Sequence, residues 1–128
     1  MVLYVSPLYC YYIAYVLVNK KKNWGDARAY CVQGGGELVS LSTKEEEDEV
    51  MSVTGLPKGS WLGLNDLQHE GQYEWSDGSE KNWTNWQFGE PNGKLEENCV
   101  AVSYYSYPQW LDVSCSLKRI FVCEYRGY

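Results

Sequence analysis

The sequence predicts an α+β fold, with two helices early, strands later and a long polar loop between. Three observations carry the prediction. Two segments in the first half repeat apolar residues at helical spacing between recognisable caps. Short apolar runs return later as strands. Between them, from Asn65 to Asn98, both periods weaken while Gly, Asn, Asp and Ser become dense and Trp75, Trp83 and Trp86 punctuate the segment. A structureless loop this long inside a compact domain is usually functional. The 128 residues suffice for one domain with one core, so residues 1–128 are expected to form a single unit.

Met1 to Val18 carries no charge. A signal peptide would open on basic residues and end on small ones, and this stretch does neither. It is slightly short for a membrane span. Its tyrosines and β-branched residues suit paired strands, so neither a secretion signal nor a span is expected here. Asn19 to Asn23 is expected to be a polar turn. Trp24, Ala27, Tyr30 and Cys31 then follow helical spacing, and Gly34 to Gly36 stop the helix. Leu38, Val39 and Leu41 form a short apolar run. Ser42-Thr43 before Glu45-Glu46 reads as a helix start with acid in its first turn, which suits the helix dipole. That helix is expected to run to about Val53, with Glu45 to Glu49 as its solvated face. Strands are expected at Ser60–Leu64, Val100–Tyr104 and Ile120–Glu124. Trp61, Trp75 and Trp86 are expected in the core.

The formal net charge of −6 argues against a generic binder of phosphate backbones, which needs a basic surface. Six Trp and twelve Tyr supply large burial areas and are common at binding surfaces. There are five cysteines, no CxxC pair and a single histidine, His69. That pattern does not suit a zinc finger. It fits an oxidised, secreted domain with two disulfides and one cysteine left over. Asn82-Trp83-Thr84 is a glycosylation sequon compatible with that setting.

Six motifs in order resemble the C-type lectin-like domain: "NWGDARAYC" (23–31), "WLGLND" (61–66), "WSDG" (75–78), "NWTNWQFGEPN" (82–92), "ENCV" (97–100) and "FVCE" (121–124). The resemblance spans nearly the whole chain. It implies two helices with two small antiparallel sheets and a long loop region. It also implies disulfides Cys31–Cys123 and Cys99–Cys115. Cys10 is then left over, with Ala14 standing about where longer family members carry a second N-terminal cysteine. An interchain bridge through Cys10, making a homodimer or heterodimer, is the favoured expectation over a free thiol.

The loop "GEPNGKLEENC" (89–99) crowds like charges, an arrangement that becomes favourable around a divalent cation. Calcium takes six to eight oxygens from carboxylates, amides and backbone. Glu90, Asn92, Glu97 and Asp112 offer such oxygens, and the resemblance implies a calcium ion, Ca2+, that a bound sugar completes. It likewise implies that Glu-Pro-Asn selects the equatorial 3- and 4-hydroxyls of mannose- or N-acetylglucosamine-type sugars, and that the Glu90–Pro91 bond is cis. Leu111 stands where the family has an asparagine and supplies no oxygen, so a weaker calcium site is expected. Asp66, Glu70 and Asn98 match one auxiliary calcium site and Glu45 and Glu124 another. Tyr104, Tyr105 and Tyr107 are candidate aromatic contacts for sugar, with Tyr105 and Tyr107 foremost. The expected partners are glycans or glycoproteins outside the cell, with no nucleic acid and no membrane span. The alternative is a lectin-like module that binds protein without calcium. No nucleophile–base pair suggests an enzyme.

Overall fold

The described part of the uncharged opening stretch folds as paired strands. In the computed structural model, which describes residues 2–6, 11–92 and 96–127, β1 (Val2–Ser6) lies antiparallel to β2 (Tyr11–Lys22). β2 runs on through the expected turn at Asn19 to Asn23. Its long partner β8 (Arg119–Gly127) explains the extension: pairing runs from Tyr12↔Gly127 to Lys22↔Arg119, and a register irregularity between Val18 and Lys22 absorbs the polar residues.

Helix α1 (Trp24–Gln33) begins at Asn23, whose side chain accepts from the Asp26 N–H at 2.8 Å. It turns Trp24, Ala27 and Cys31 inward, leaves Tyr30 on the surface and stops at Gly34. Gly36 is required by the close approach of β8, because a Cβ there would lie 2.3 Å from the Glu124 carbonyl oxygen. β3 (Glu37–Leu38) pairs with β8, and Leu38, Val39 and Leu41 are fully buried. Helix α2 (Lys44–Thr54) is capped by Thr43, whose Oγ1 accepts from the Glu46 N–H at 3.0 Å, and Gly55 ends it in the left-handed region.

β4 (Trp61–Asn65), β5 (Glu74–Trp75) and β6 (Cys99–Val102) follow, then β7 (Trp110–Val113), a strand absent from the sequence-based expectation. Two antiparallel groups result. One holds β1, β2, β8 and β3, the other β5, β4, β6 and β7, and the parallel pairing Trp61↔Phe121 joins them into a mixed sheet. Apolar clusters divide in a similar way. Val39, Leu41, Val50, Leu62, Trp75 and Trp110 belong to one; Trp24, Ala27, Leu38, Trp61 and Phe121 belong to the other. Trp86 is only partly buried, packed against the first.

Cys31 bonds to Cys123 and Cys99 to Cys115. The first pair closes a sequence separation of 92 and the second one of 16. On chain-entropy grounds they contribute about 4–5 and about 3 kcal/mol by restricting the unfolded chain. Cys10 lies outside the described residues.

Candidate functional site

The acidic loop reaches the sheet by a short ladder of backbone bonds. The Trp110 N–H donates to the Asn85 carbonyl at 2.8 Å and the Gln87 N–H to the Trp110 carbonyl at 2.8 Å, so the segment 85–87 lies along the start of β7. The Glu90 N–H then donates to the Gln87 carbonyl at 2.9 Å. This closes a tight turn with Phe88 and Gly89 at its corner, and Gly89 takes φ 85°, a conformation that favours glycine. The Glu90–Pro91 peptide is cis. The turn delivers Glu90 to β7, and the Asn92 N–H donates to Asp112 Oδ1 at 3.2 Å.

Asp112 is fully buried, and the Tyr73 hydroxyl holds its other oxygen, Oδ2, at 2.9 Å. The same hydroxyl lies 3.3 Å from the Glu97 carbonyl oxygen, so Tyr73 ties the strand to the second half of the loop. Burial, followed by the Asp112 carboxylate at hydrogen-bonding range, pushes the Glu90 carboxyl up to about 7, with Glu97 adding to the repulsion. Glu90 Oε2 and Glu97 Oε1 are buried without a hydrogen-bond partner. Buried carboxylate oxygens facing like charge are costly unless a proton or a cation lies among them. The oxygen donors suit calcium in kind. Among the described residues, however, no group of three or more His, Cys, Asp or Glu is arranged to hold a metal by itself. An ion here would also need the Asn92 amide and further oxygens.

Leu111 does not reach this cluster. It is half-buried and packs against the second apolar cluster, whereas its neighbour Asp112 lies against Tyr73 and Glu90. Successive side chains of a strand point to opposite faces, which accounts for the difference.

The other expected residues fall as follows. Asp66 is buried, its Oδ2 accepting from the Gly71 N–H at 2.8 Å. Exposed Glu70 lies against Asp66, and that contact raises the Glu70 carboxyl. The Asn98 carbonyl oxygen accepts from the Asp66 N–H at 3.0 Å, which brings these three residues together. Glu45 and Glu124 are not joined in that way. Glu124 is buried, with Oε1 accepting from the Ser40 N–H and Oγ and Oε2 accepting from Arg126 Nε at 2.9 Å. A guanidinium therefore supplies the positive charge a metal would bring. Glu45 is exposed, and it is Glu46 of the same turn that feels Arg126. Tyr105 is 95% exposed, while the Tyr107 hydroxyl donates to the Gly55 carbonyl at 2.7 Å and anchors its loop.

The run Glu45 to Glu49 is not wholly solvated. Glu47 is 3% exposed and accepts from Trp110 Nε1 at 2.9 Å and Asn85 Nδ2 at 3.0 Å. It thereby fixes the ring around which Trp75, Trp83 and Trp86 pack edge-to-face, at 5.5, 5.6 and 6.0 Å. Its spacing from Val50, at i and i+3 on one helix face, was the available signal. Tyr73, the support of Asp112, carried no signal in the sequence.

Two helices, a mixed sheet tied by two disulfides and a long loop that brings carboxylates to the sheet define a lectin-type recognition fold. The chain matches the family described as Lectin C-type domain over residues 20–125, and it belongs to that family. The low affinity immunoglobulin epsilon Fc receptor of Mus musculus is 40% identical over 117 residues, which cover 90% of this chain and 33% of the receptor. The C-type lectin lectoxin-Lio1 of Erythrolamprus poecilogyrus is 36% identical over 126 residues, covering 93% of this chain and 75% of that protein. Among solved structures, the cow C-type carbohydrate-recognition domain of CD23, in the presence of a GlcNAc2Man3 oligosaccharide, superposes with a TM-score of 0.80. It is 33% identical and covers 91% of this chain and 89% of its own. These homologues are binding proteins, not enzymes. No helix among the described residues is long and apolar enough to cross a membrane.

Proposed function

We propose that the domain is a calcium-dependent lectin whose site is Glu90, Asn92, Glu97 and Asp112. The observation that carries this reading is the pair of buried, unpartnered oxygens of Glu90 and Glu97 beside the Asp112 carboxylate. Calcium, when bound, would supply the charge that balances these groups and holds a sugar's neighbouring hydroxyls. Glu90 accepts from one hydroxyl and the Asn92 amide donates to the next, since a carboxylate only accepts and an amide nitrogen only donates. That order favours equatorial hydroxyl pairs of mannose or N-acetylglucosamine type. Tyr105, 95% exposed, is available for contact with a sugar C–H face. The presence of an oligosaccharide in the cow structure supports glycan as the ligand class.

Asp66, Glu70 and Asn98 form the better-assembled auxiliary calcium candidate. Secretion fits the oxidised cysteines. A disulfide-linked dimer through Cys10 would raise avidity by effective concentration.

The second reading is a calcium-independent protein-binding module. That no group of three or more His, Cys, Asp or Glu among the described residues is arranged to hold a metal favours it. So does the mouse relative's name, that of an immunoglobulin receptor. A glycan array run with calcium and with chelator separates the two. Binding to mannose-type glycans that chelator abolishes supports the lectin. An empty array in both conditions refutes it.

A further inference from the structure

This acidic chain gathers a large share of its eleven cations on one side. Lys20, Lys21 and Lys22 end β2, and Lys22 stands opposite Arg119, the first residue of β8, with Lys118 preceding it. Arg119 Nη1 donates to the Gly59 carbonyl at 3.4 Å, which brings Lys58 into the same neighbourhood. The ion pairs among the described residues are Arg28–Glu37, Lys44–Asp48 and Arg126–Glu124, and none uses these six cations.

Four of the six are held by aromatic rings instead. Lys20 and Lys22 lie over Tyr30 at 5.6 and 5.7 Å, and Lys58 lies over Tyr107 at 5.9 Å. The Arg119 guanidinium lies over Trp61 and Tyr104 at 5.8 and 5.3 Å. A ring face attracts a cation and orders its side chain without neutralising it. A carboxylate in the same place would cancel the charge. The nearest acid along the chain is Asp26, one helical turn before Tyr30. The face thus combines ordered positions with undiminished charge, which is what an extended anion needs.

We propose that this face binds a linear sulfated polysaccharide through its sulfate groups. The two disulfides point to an oxidising compartment, where sulfated glycans are available polyanions. Nucleic acid suits the face less well. Single strands bind by stacking bases on open aromatic rings, and here Tyr30, Tyr104, Trp61 and Tyr107 are already covered by cations. The inference is independent of the calcium reading, since no carboxylate of the loop takes part.

The test is binding of a heparin octasaccharide, measured calorimetrically in chelator across a salt series beginning at about 50 mM. Association that weakens steeply with salt is expected. Lys20→Gln/Lys21→Gln/Lys22→Gln should reduce affinity at least about tenfold and flatten the salt slope, since each lost contact to an anion lowers that slope by about one. Lys58→Gln/Lys118→Gln should reduce it independently. Lys44→Gln/Lys81→Gln, which removes two charges elsewhere, as many as the Lys58/Lys118 pair, should leave affinity within about twofold. A melting curve on each variant confirms its fold. The proposal is overturned by no binding at the lowest salt, by equal weakening in the Lys44/Lys81 control, or by tighter binding to oligothymidine or to anionic vesicles than to the octasaccharide.

Discussion

Tyr73→Phe isolates the one hydroxyl on which Asp112 depends. The substitution keeps the ring, which packs edge-to-face on Trp86 at 5.1 Å, and deletes the donor to Asp112 Oδ2 at 2.9 Å. Asp112 is fully buried, so water does not readily replace the lost bond. Hydrogen bonds to charged groups are worth about 1.5–3 kcal/mol, and leaving a buried acceptor unmet sits at the upper side of that range. The Asn92 N–H still serves Oδ1, which limits the damage. The expected loss is about 2 kcal/mol, or about 6–10 °C in melting temperature for a domain of this size. Thermal unfolding followed by near-ultraviolet circular dichroism, in chelator, measures it. A double-mutant cycle with Asp112→Ala gives the mechanism, because Tyr73→Phe should then be neutral within about 0.5 kcal/mol. A loss below about 0.5 kcal/mol in the parent, or an undiminished loss in the Asp112→Ala background, would refute the reasoning.

Further outcomes follow from the same geometry. Glu90→Gln with Asn92→Asp reverses the accepting and donating sides and should shift preference from mannose toward galactose on competing sugar columns; unchanged mannose preference would count against these residues as the selectors. Leu111→Asn should lower stability by about 1 kcal/mol without tightening calcium, because the amide would enter an apolar cluster; calorimetry showing tighter calcium binding would place residue 111 in the site after all. Burial raises the carboxyls of Glu46, Glu47, Glu90 and Glu124 above their ordinary value, so folding takes up protons between that value and the raised one. That contribution is greatest below the ordinary carboxylate value and is lost as pH rises through the raised one, about 7 for Glu90. In chelator, melting temperature should therefore rise on moving from about pH 7.5 to about pH 5.5, and a steady fall would contradict it. Non-reducing electrophoresis should show a dimer that Cys10→Ser abolishes, whereas a monomer that reacts with a thiol probe would exclude the bridge.

What the sequence made legible was local. Asn23 and Thr43 announce their helices because a cap needs only residues within one turn. Leu38, Val39 and Leu41 mark themselves as core by composition. The family motifs supplied the cysteine pairing and the carboxylate loop. What stayed hidden depends on distant partners. Glu47 reads as solvated until Trp110, separated by 63 residues, arrives to donate to it. Tyr73 is one tyrosine among twelve until the sheet sets it under Asp112. β2 outruns its expected end because β8 pairs with it as far as Lys22. β7 was missed because Trp110 to Val113 mixes a core ring, a half-buried leucine and a buried acid, so neither alternation nor an apolar run stands out.

The ring cluster around Trp110 gives the molecule a built-in optical reporter. Trp86 touches both Trp110 and Tyr73, and it immediately precedes the turn that carries Glu90. Any event that reorders the carboxylate loop must alter the surroundings of these chromophores. Their emission and near-ultraviolet ellipticity should therefore register occupancy of the loop directly, with no label attached, and Trp86→Phe should silence much of that signal while leaving the binding itself in place.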